Sequence, residues 1–357
     1  MNISHLFLYR YAIPFTEPVT IRGHRITERD GIVLALKCRD GERTAYGEIA
    51  PLPGLHRETL DMAEAQLVDL VSSHALSISG ALPDRLYPSV QTGIEMALIN
   101  LEADASGSPP SFFPESAGTE LLPLNALLFG DALSVTSKAE TLYNLGYRAF
   151  KLKVDAGNAA TAIECIHTLN SRFGSEIELR LDANQSFTLE QAVAFAGNLP
   201  AGSVSYIEEP LQDAACIGEF HARTSICSAL DETLWQHPEL YGMIPKSAIK
   251  ALILKPNRLG GIAATREIML RAASAGHQTV LSSAFESGIS LGLYAWLAAT
   301  SSPEPAACGL DTFRYLNHDL TEAPFGSGNS LVDARKAFNE GQKVNLHTLK
   351  LLSIWTL

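Results

Sequence analysis

Three carboxylates and two lysines stand at regular intervals in the middle of this 357-residue chain, and their types and spacing are suited to chemistry. Short apolar runs between Phe150 and Lys255 each end in a charge that a buried strand should not carry: Lys153, Asp182, Glu208, Asp231 and Lys255. The intervals are 29 (153 to 182), 26 (182 to 208), 23 (208 to 231) and 24 residues (231 to 255). Asp182, Glu208 and Asp231 facing one point would repel one another, and a hard divalent cation with oxygen ligands is the ordinary remedy. They form a candidate Mg²⁺ site, open also to Mn²⁺, between the lysines before and after them.

The elements that must position these groups follow from the same intervals. A strand, a loop and a helix of three to four turns use about 25 residues, so the stretch reads as repeated βα units with one charge at each strand's carboxyl end. A (β/α) barrel keeps its chemistry there. Strand side chains alternate between faces, so Ile177, Leu179 and Leu181 oppose Glu178, Arg180 and Asp182, while Phe150, Leu152 and Val154 oppose Lys151 and Lys153. The apolar face suits the outer helices, which turns the charges into the barrel, where they need partners or an ion. After Lys153, Ile163, Ile166, Leu169 and Phe173 fall at helical spacing; after Asp182, Leu189, Val193 and Ala196 do so, behind an N-cap at Ser186 or Thr188. Leu121 to Leu128, Gln278 to Ser283 and Ala306 to Asp311 supply further strands.

Upstream, Leu6 to Ile13, Gly31 to Cys38 and Arg43 to Ile49 read as strands, with a hairpin turn at Arg39-Asp40-Gly41-Glu42. Phe15 to Arg29 is too polar and too long for a tight turn and could be a lid. Arg57 to Ser72 and Ser89 to Ala105 have helical spacing, and residues 107 to 118 form a Pro, Gly and Ser linker. The expected organisation is an α+β domain over 1–119, a barrel over 120–315, and a segment 316–357 whose strand material returns to the first domain.

Composition narrows the partners. Hydrophobic residues make up 46% of the chain, ample for a large core, and the net charge of −12 argues against nucleic acid and anionic membranes. Five cysteines without a C-x-x-C pair point away from a disulfide framework or a zinc site and toward a reducing cytoplasm. The apolar start, Ile3 to Phe15, is broken by His5, Arg10 and Pro14 and reads as a first strand rather than a signal peptide. The oligomeric state is left open.

Five motifs in register carry a family resemblance: Lys151-Leu-Lys153, Asp182-Ala-Asn184, Glu208-Glu-Pro210, Asp231-Glu232 and Lys255-Pro256. With Arg29-Asp30-Gly31, Gly47-Glu48-Ile49-Ala50-Pro51-Leu52-Pro53-Gly54, Ser282-Ser283-Ala-Phe-Glu286-Ser287 and Gly309-Leu310-Asp311-Thr312, the chain resembles the muconate-lactonising subgroup of the enolase superfamily. Within that subgroup it is most similar to the o-succinylbenzoate synthases. The resemblance implies a (β/α)₇β TIM-like barrel capped by an α+β domain built from both termini, with Mg²⁺ on Asp182, Glu208 and Asp231. It also implies that Lys153 is the acid/base, that Lys255 faces it across a small carboxylate substrate, and that the reaction is a syn elimination of water in menaquinone biosynthesis.

Such chemistry needs these residues. A proton beside a carboxylate is a weak acid because its removal puts a second negative charge on the same group, and a fixed cation offsets that charge as it forms. Lysine ordinarily titrates near about 10.4; Lys151 and the cation are expected to lower Lys153 toward a usable base. Other readings stay open. The carboxylates and lysines could be ion pairs lining a barrel, and Lys151 could tune the site or merely pair. Arg180, Asn184, Ser282 and Ser283 could touch substrate or only support the loops. Glu209 and Glu232, next to ligands, should point away from the axis. The Arg258-Leu-Gly260-Gly261 loop reads as a plain βα turn, with an anion cradle at a helix start as the alternative. N-acyl amino acid racemisation or dipeptide epimerisation could use the same metal and lysines, although in epimerases of this subgroup an Asp stands where this chain has Gly309. A non-catalytic, metabolite-binding barrel is the alternative of another class.

Overall fold

The computed structural model describes residues 3–39, 43–73, 82–83, 85–106, 112–113, 120–326, 328 and 330–356. Its strands are β1 (Ile3–Ile21), β2 (His24–Cys38), β3 (Thr44–Ile49), β4 (Leu121–Pro123), β5 (Asn125–Leu128), β6 (Ala149–Lys153), β7 (Glu178–Asp182), β8 (Tyr206–Glu208), β9 (Ser228–Leu230), β10 (Ile249–Leu254), β11 (Gln278–Leu281), β12 (Leu331–Asp333) and β13 (Lys350–Thr356). Its helices are α1 (Leu60–Ser72), α2 (Pro88–Ser106), α3 (Ala132–Asn144), α4 (Ala159–Phe173), α5 (Leu189–Ala196), α6 (Ile217–Thr224), α7 (Thr233–Gln236), α8 (Pro256–Leu259), α9 (Ile262–Ala275), α10 (Gly288–Ser301) and α11 (Ala334–Gly341). Residues 40–42 of the expected hairpin turn, and most of the expected linker, lie outside the described residues.

Strands β5 to β11 form a parallel sheet in sequence order. The eighth stave is shorter than the strand expected over Ala306 to Asp311. Its backbone bridges both edges, Cys308 N–H donating to Pro123 O at 2.8 Å on one side and Gly309 N–H to Leu281 O at 2.8 Å on the other. These bonds close the (β/α)₇β barrel. From Asp311 the chain turns into a short 3₁₀ helix. Alternation holds along the staves: Leu179 and Leu181 join the core under the outer helices, while Tyr206, Ala229, Ala251, Ile253 and Val280 form a separate apolar cluster. Thr188 is the N-cap of α5, in a reciprocal capping box with Gln191.

The cap is a sheet of order β13-β1-β2-β3 with α1 and α2 packed on one face. Gly47 and Gly93 let β3 and α2 touch, since a Cβ on Gly47 would stand 1.9 Å from Gly93 O. Residues 15–29 differ from the expected loop. They extend the β1–β2 ribbon to a two-residue turn at Arg22 (φ +46°) and Gly23 (φ +83°), the left-handed pair that a tight hairpin requires. Polar residues are tolerated because this part of the ribbon projects beyond the sheet, with much of it exposed. Of the carboxyl-terminal segment β13 joins the cap sheet, and Leu316 and Asn317 meet β1, where Asn317 N–H donates to Pro14 O at 3.0 Å. Strand β12 pairs with β4, and α11 packs on α10, where a Cβ on Gly292 would meet Ala337 O at 2.4 Å.

A buried carboxylate ties cap to barrel. Glu48, on β3, accepts bonds from Ser287 N–H (3.0 Å), Ser287 Oγ (2.9 Å) and Ser290 Oγ (2.6 Å) at the start of α10, and from the Tyr11 hydroxyl (2.5 Å). Helix α10 is buried along nearly its whole length, so its N-terminal N–H groups would be unsatisfied without such a partner. The helix start at Gly261 is served in the same way: Glu95 of the cap accepts from Ile262 N–H (2.6 Å) and Ala263 N–H (3.0 Å). The loop before α9 thus holds an anion, and that anion is a side chain of this protein.

Candidate active site

Strand ends place the three carboxylates and the lysines Lys153 and Lys255. Lys153 and Asp182 are Cα partners across β6 and β7, and Asp182 and Glu208 across β7 and β8; Asp231 and Lys255 follow β9 and β10 directly. Asp182, Glu208 and Asp231 are all buried, with exposures of 1%, 0% and 3%. The staves of Lys153 and Lys255 are four apart in a ring of eight, so the two lysines face each other from opposite walls.

The lysines hold the carboxylates. Lys151 Nζ lies 2.8 Å from Asp182 Oδ2 and 2.8 Å from Glu208 Oε1; Lys153 Nζ lies 2.6 Å from Asp182 Oδ2; Lys255 Nζ bonds Asp231 Oδ2. Burial pushes the Lys151 ammonium down, but Asp182 and Glu208 together outweigh it and hold its pKa well above the ordinary range. Burial likewise opposes the charge on Asp182, and Lys151 and Lys153 override it, keeping the carboxyl ionised. Glu208 goes the other way, raised to about 8 by burial and by the charge of Asp182.

Among the described residues no three acidic, imidazole or thiol groups are gathered as a finished ligand set; here lysine ammoniums stand among the carboxylates. The donor set nevertheless fits a hard divalent cation. It consists of oxygens alone, and Asp231 Oδ1 is buried without a hydrogen-bond partner.

The supporting residues divide. Asn184, at φ +42°, accepts from Lys153 Nζ at 2.7 Å through Oδ1 and donates to Glu232 Oε1 at 3.1 Å through Nδ2. Arg180 is not brought to the carboxylates. It lies one layer deeper, bonded to Glu178 (2.8 Å) and Ala307 O (2.7 Å) and stacked over Tyr206. Ser283 Oγ bonds Gly309 O (3.0 Å) and Thr312 Oγ1 (2.7 Å), and Ser282 Oγ stands 2.8 Å from where a Cβ on Gly309 would lie. Glu209 accepts from Asp231 N–H (2.7 Å), Thr233 N–H (2.7 Å) and Thr233 Oγ1 (2.8 Å), which shapes the loop that presents Asp231.

Glu232 departs from the expected direction. Strand alternation ends at Leu230 and Glu232 is already helical (φ −57°, ψ −38°), so its carboxylate reaches Asn184 at the mouth instead of turning outward. It also accepts a bond from Arg22 Nη2 at 2.9 Å. Arg22 was hidden by its distance in sequence, although Arg22-Gly23 between Val19, Ile21 and Ile26 is a short hairpin signal. His56 is a second such residue: its Nδ1 accepts from Leu52 N–H (2.9 Å) and its Nε2 bonds Asn257 O (3.0 Å), two residues after Lys255.

Comparison with known proteins agrees with this architecture. Residues 134–337, more than half the chain, match the family model described as enolase C-terminal domain-like, and residues 3–101 match the model described as MenC, N-terminal domain. The o-succinylbenzoate synthase of Citrobacter koseri is 32% identical over 85% of this chain and 89% of that enzyme. That of Haemophilus influenzae is 29% identical over 93% of this chain and 96% of that enzyme. A member of the enolase superfamily from Roseovarius nubinhibens superposes with a TM-score of 0.83 at 18% identity, over 99% of both chains, which speaks for the fold.

Proposed function

We propose, from the premise that this chain belongs to the enolase superfamily and within it to the o-succinylbenzoate synthases, that it removes water from 2-succinyl-6-hydroxy-2,4-cyclohexadiene-1-carboxylate. The product is 2-succinylbenzoate, and the reaction class is a carbon–oxygen lyase of menaquinone biosynthesis in the cytoplasm. The observation that carries the reading is the pair of lysines on opposite barrel walls, each bonded to one member of a buried carboxylate set.

Asp182, Glu208 and Asp231 would hold Mg²⁺, or Mn²⁺ in its place. When bound, the cation supplies a fixed charge that offsets the second negative charge placed on the substrate carboxylate. Lys153 is 38% exposed, the accessibility an acid/base needs, and takes the proton beside that carboxylate. The same ammonium then returns a proton to the departing hydroxyl on the same face, which makes the elimination syn. Lys255, 12% exposed and bonded to Asp231, stays an ammonium and stabilises developing negative charge from the other wall. Lys151 keeps Asp182 and Glu208 together. Ser282 and Ser283 shape the rim with Gly309, and Arg180 supports the barrel floor.

The opposed lysines also favour one second reading, racemisation of an N-acyl amino acid with one base on each face. Dipeptide epimerisation is less well served. The Gly309 position has little room for an Asp beside Ser282, and Asp311 is engaged by Arg314 (2.6 Å) and Tyr147 (3.0 Å). Incubation of the purified protein and Mg²⁺ with the cyclohexadiene, followed by its absorbance loss, tests the dehydratase reading directly; no loss would overturn it.

A further inference from the structure

We propose that Arg22, at the tip of the cap hairpin, is a positioning residue for Lys153 and acts through Glu232 and Asn184. Three hydrogen bonds connect the cap to the lysine: Arg22 Nη2 to Glu232 Oε1 (2.9 Å), Asn184 Nδ2 to the same Oε1 (3.1 Å), and Lys153 Nζ to Asn184 Oδ1 (2.7 Å). The inference rests on the acid/base role proposed for Lys153.

The chain of bonds has one polarity. An ammonium only donates and a carboxylate only accepts, so the Asn184 amide can satisfy both neighbours in one orientation alone. A flipped amide would set NH₂ against Lys153 and oxygen against Glu232. Asn184 also tolerates the left-handed backbone at φ +42°, so a single residue meets both the conformational and the bonding demand. Glu232 is the sensitive link. Its side chain is 2% exposed, its Oε2 is buried without a partner, and its Oε1 carries both bonds. Exposed ion pairs contribute little, but here one partner is desolvated, and without Arg22 its oxygen keeps only the amide.

The hairpin tip is seated where this linkage requires. A Cβ on Gly54 would stand 2.8 Å from Ile21 O, so the Pro51–Gly54 loop makes room for the turn, and the Arg22 guanidinium lies over the Trp235 ring at 5.8 Å. Docking of the tip therefore fixes the Glu232 carboxylate, which fixes the amide, which together with Asp182 fixes Nζ. The cap contributes to the proton-transfer step without touching the reacting atoms.

The test uses the full-length protein with Mg²⁺ and two readouts: dehydration kinetics, and trace acetylation of Lys153 by acetic anhydride read by peptide mass spectrometry without substrate. Arg22→Ala should lower kcat about tenfold or more with KM changed less than about threefold, and Arg22→Lys should recover part of it. Adding Arg22→Ala to Glu232→Ala should cost nothing further, because one linkage is already broken. Lys153 should acetylate severalfold faster in Arg22→Ala and in Glu232→Ala than in the wild type. A raised KM with unchanged kcat in Arg22→Ala would overturn the proposal in favour of direct substrate contact, and so would unchanged acetylation of Lys153. Faster Lys153 acetylation in the two variants, beside a wild type that never dehydrates the cyclohexadiene, would support the linkage while sinking the dehydratase reading.

Discussion

Lys153 and Lys255 arise from staves four positions apart in an eight-membered ring, and each bonds a different carboxylate, Asp182 for the first and Asp231 for the second. Opposition across the barrel lets one act as base while the other remains a fixed cation. It also lets two bases work on opposite faces, so the two chemistries separate by experiment. Lys255→Arg keeps the positive charge and should retain measurable dehydration, whereas Lys255→Ala should not. An N-succinyl amino acid in D₂O should exchange its α-proton slowly relative to dehydration. Fast exchange from both enantiomers would move the assignment to a racemase.

Lys153→Ala should lower kcat by about 10²-fold or more, the range of positioned acid/base catalysis, while the fold and Mg²⁺ binding persist. Lys153→Arg should be almost as damaging, because guanidinium does not give up its proton. A variant that keeps a tenth of wild-type turnover would remove the role.

Chelation tests the carboxylate set. EDTA should abolish turnover and Mg²⁺ should restore it, and Mg²⁺ should raise the Tm of the wild type by the linkage of binding to folding. In Asp231→Ala, which removes the unpartnered Oδ1, that rise should shrink. Differential scanning calorimetry with and without Mg²⁺ gives the answer.

At the cap–barrel seam, burial first and then Arg258 and Arg29 lower His56 to about 3. Its bonds require the neutral ring, since Nδ1 accepts from Leu52 N–H. The unfolded chain takes up this proton near pH 6.5 and the folded one only near 3, so the unfolded state binds more protons in that window. The stability contributed by neutral His56 is therefore whole above about pH 6.5 and is lost as pH falls toward about 3. Urea midpoints of wild type and His56→Gln across this window should converge on acidification. Parallel curves would refute the assignment.

Gly309 and Ser282 are in close contact, with the Oγ 2.8 Å and the Cβ 3.3 Å from an added methyl. Gly309→Ala should destabilise by about 1 kcal/mol or more, as overpacking does, and Ser282→Gly in the same chain should recover most of that. Additive losses in denaturant melts would show that the two residues do not share the space.

The periodicity of charges at strand ends determined much on its own. Because strand side chains alternate and each βα unit has a set length, the sequence placed Lys153, Asp182, Glu208, Asp231 and Lys255 at one end of one barrel, and a structural comparison reports the same fold. Alternation stopped being a guide where strands stop. Glu232 has already turned helical, Arg180 faces inward but one layer down, and the eighth stave is held by a few backbone bonds that leave little pattern in the residues. Residues distant in sequence were settled only by tertiary packing. Arg22 reaches Glu232 across 210 positions, Glu48 reaches Ser287 across 239, and His56 reaches Asn257 across 201. Local pattern encodes which way a side chain points from its own strand; which partner it meets is decided by how the cap docks on the barrel, because a hydrogen bond depends on separation in space and not along the chain.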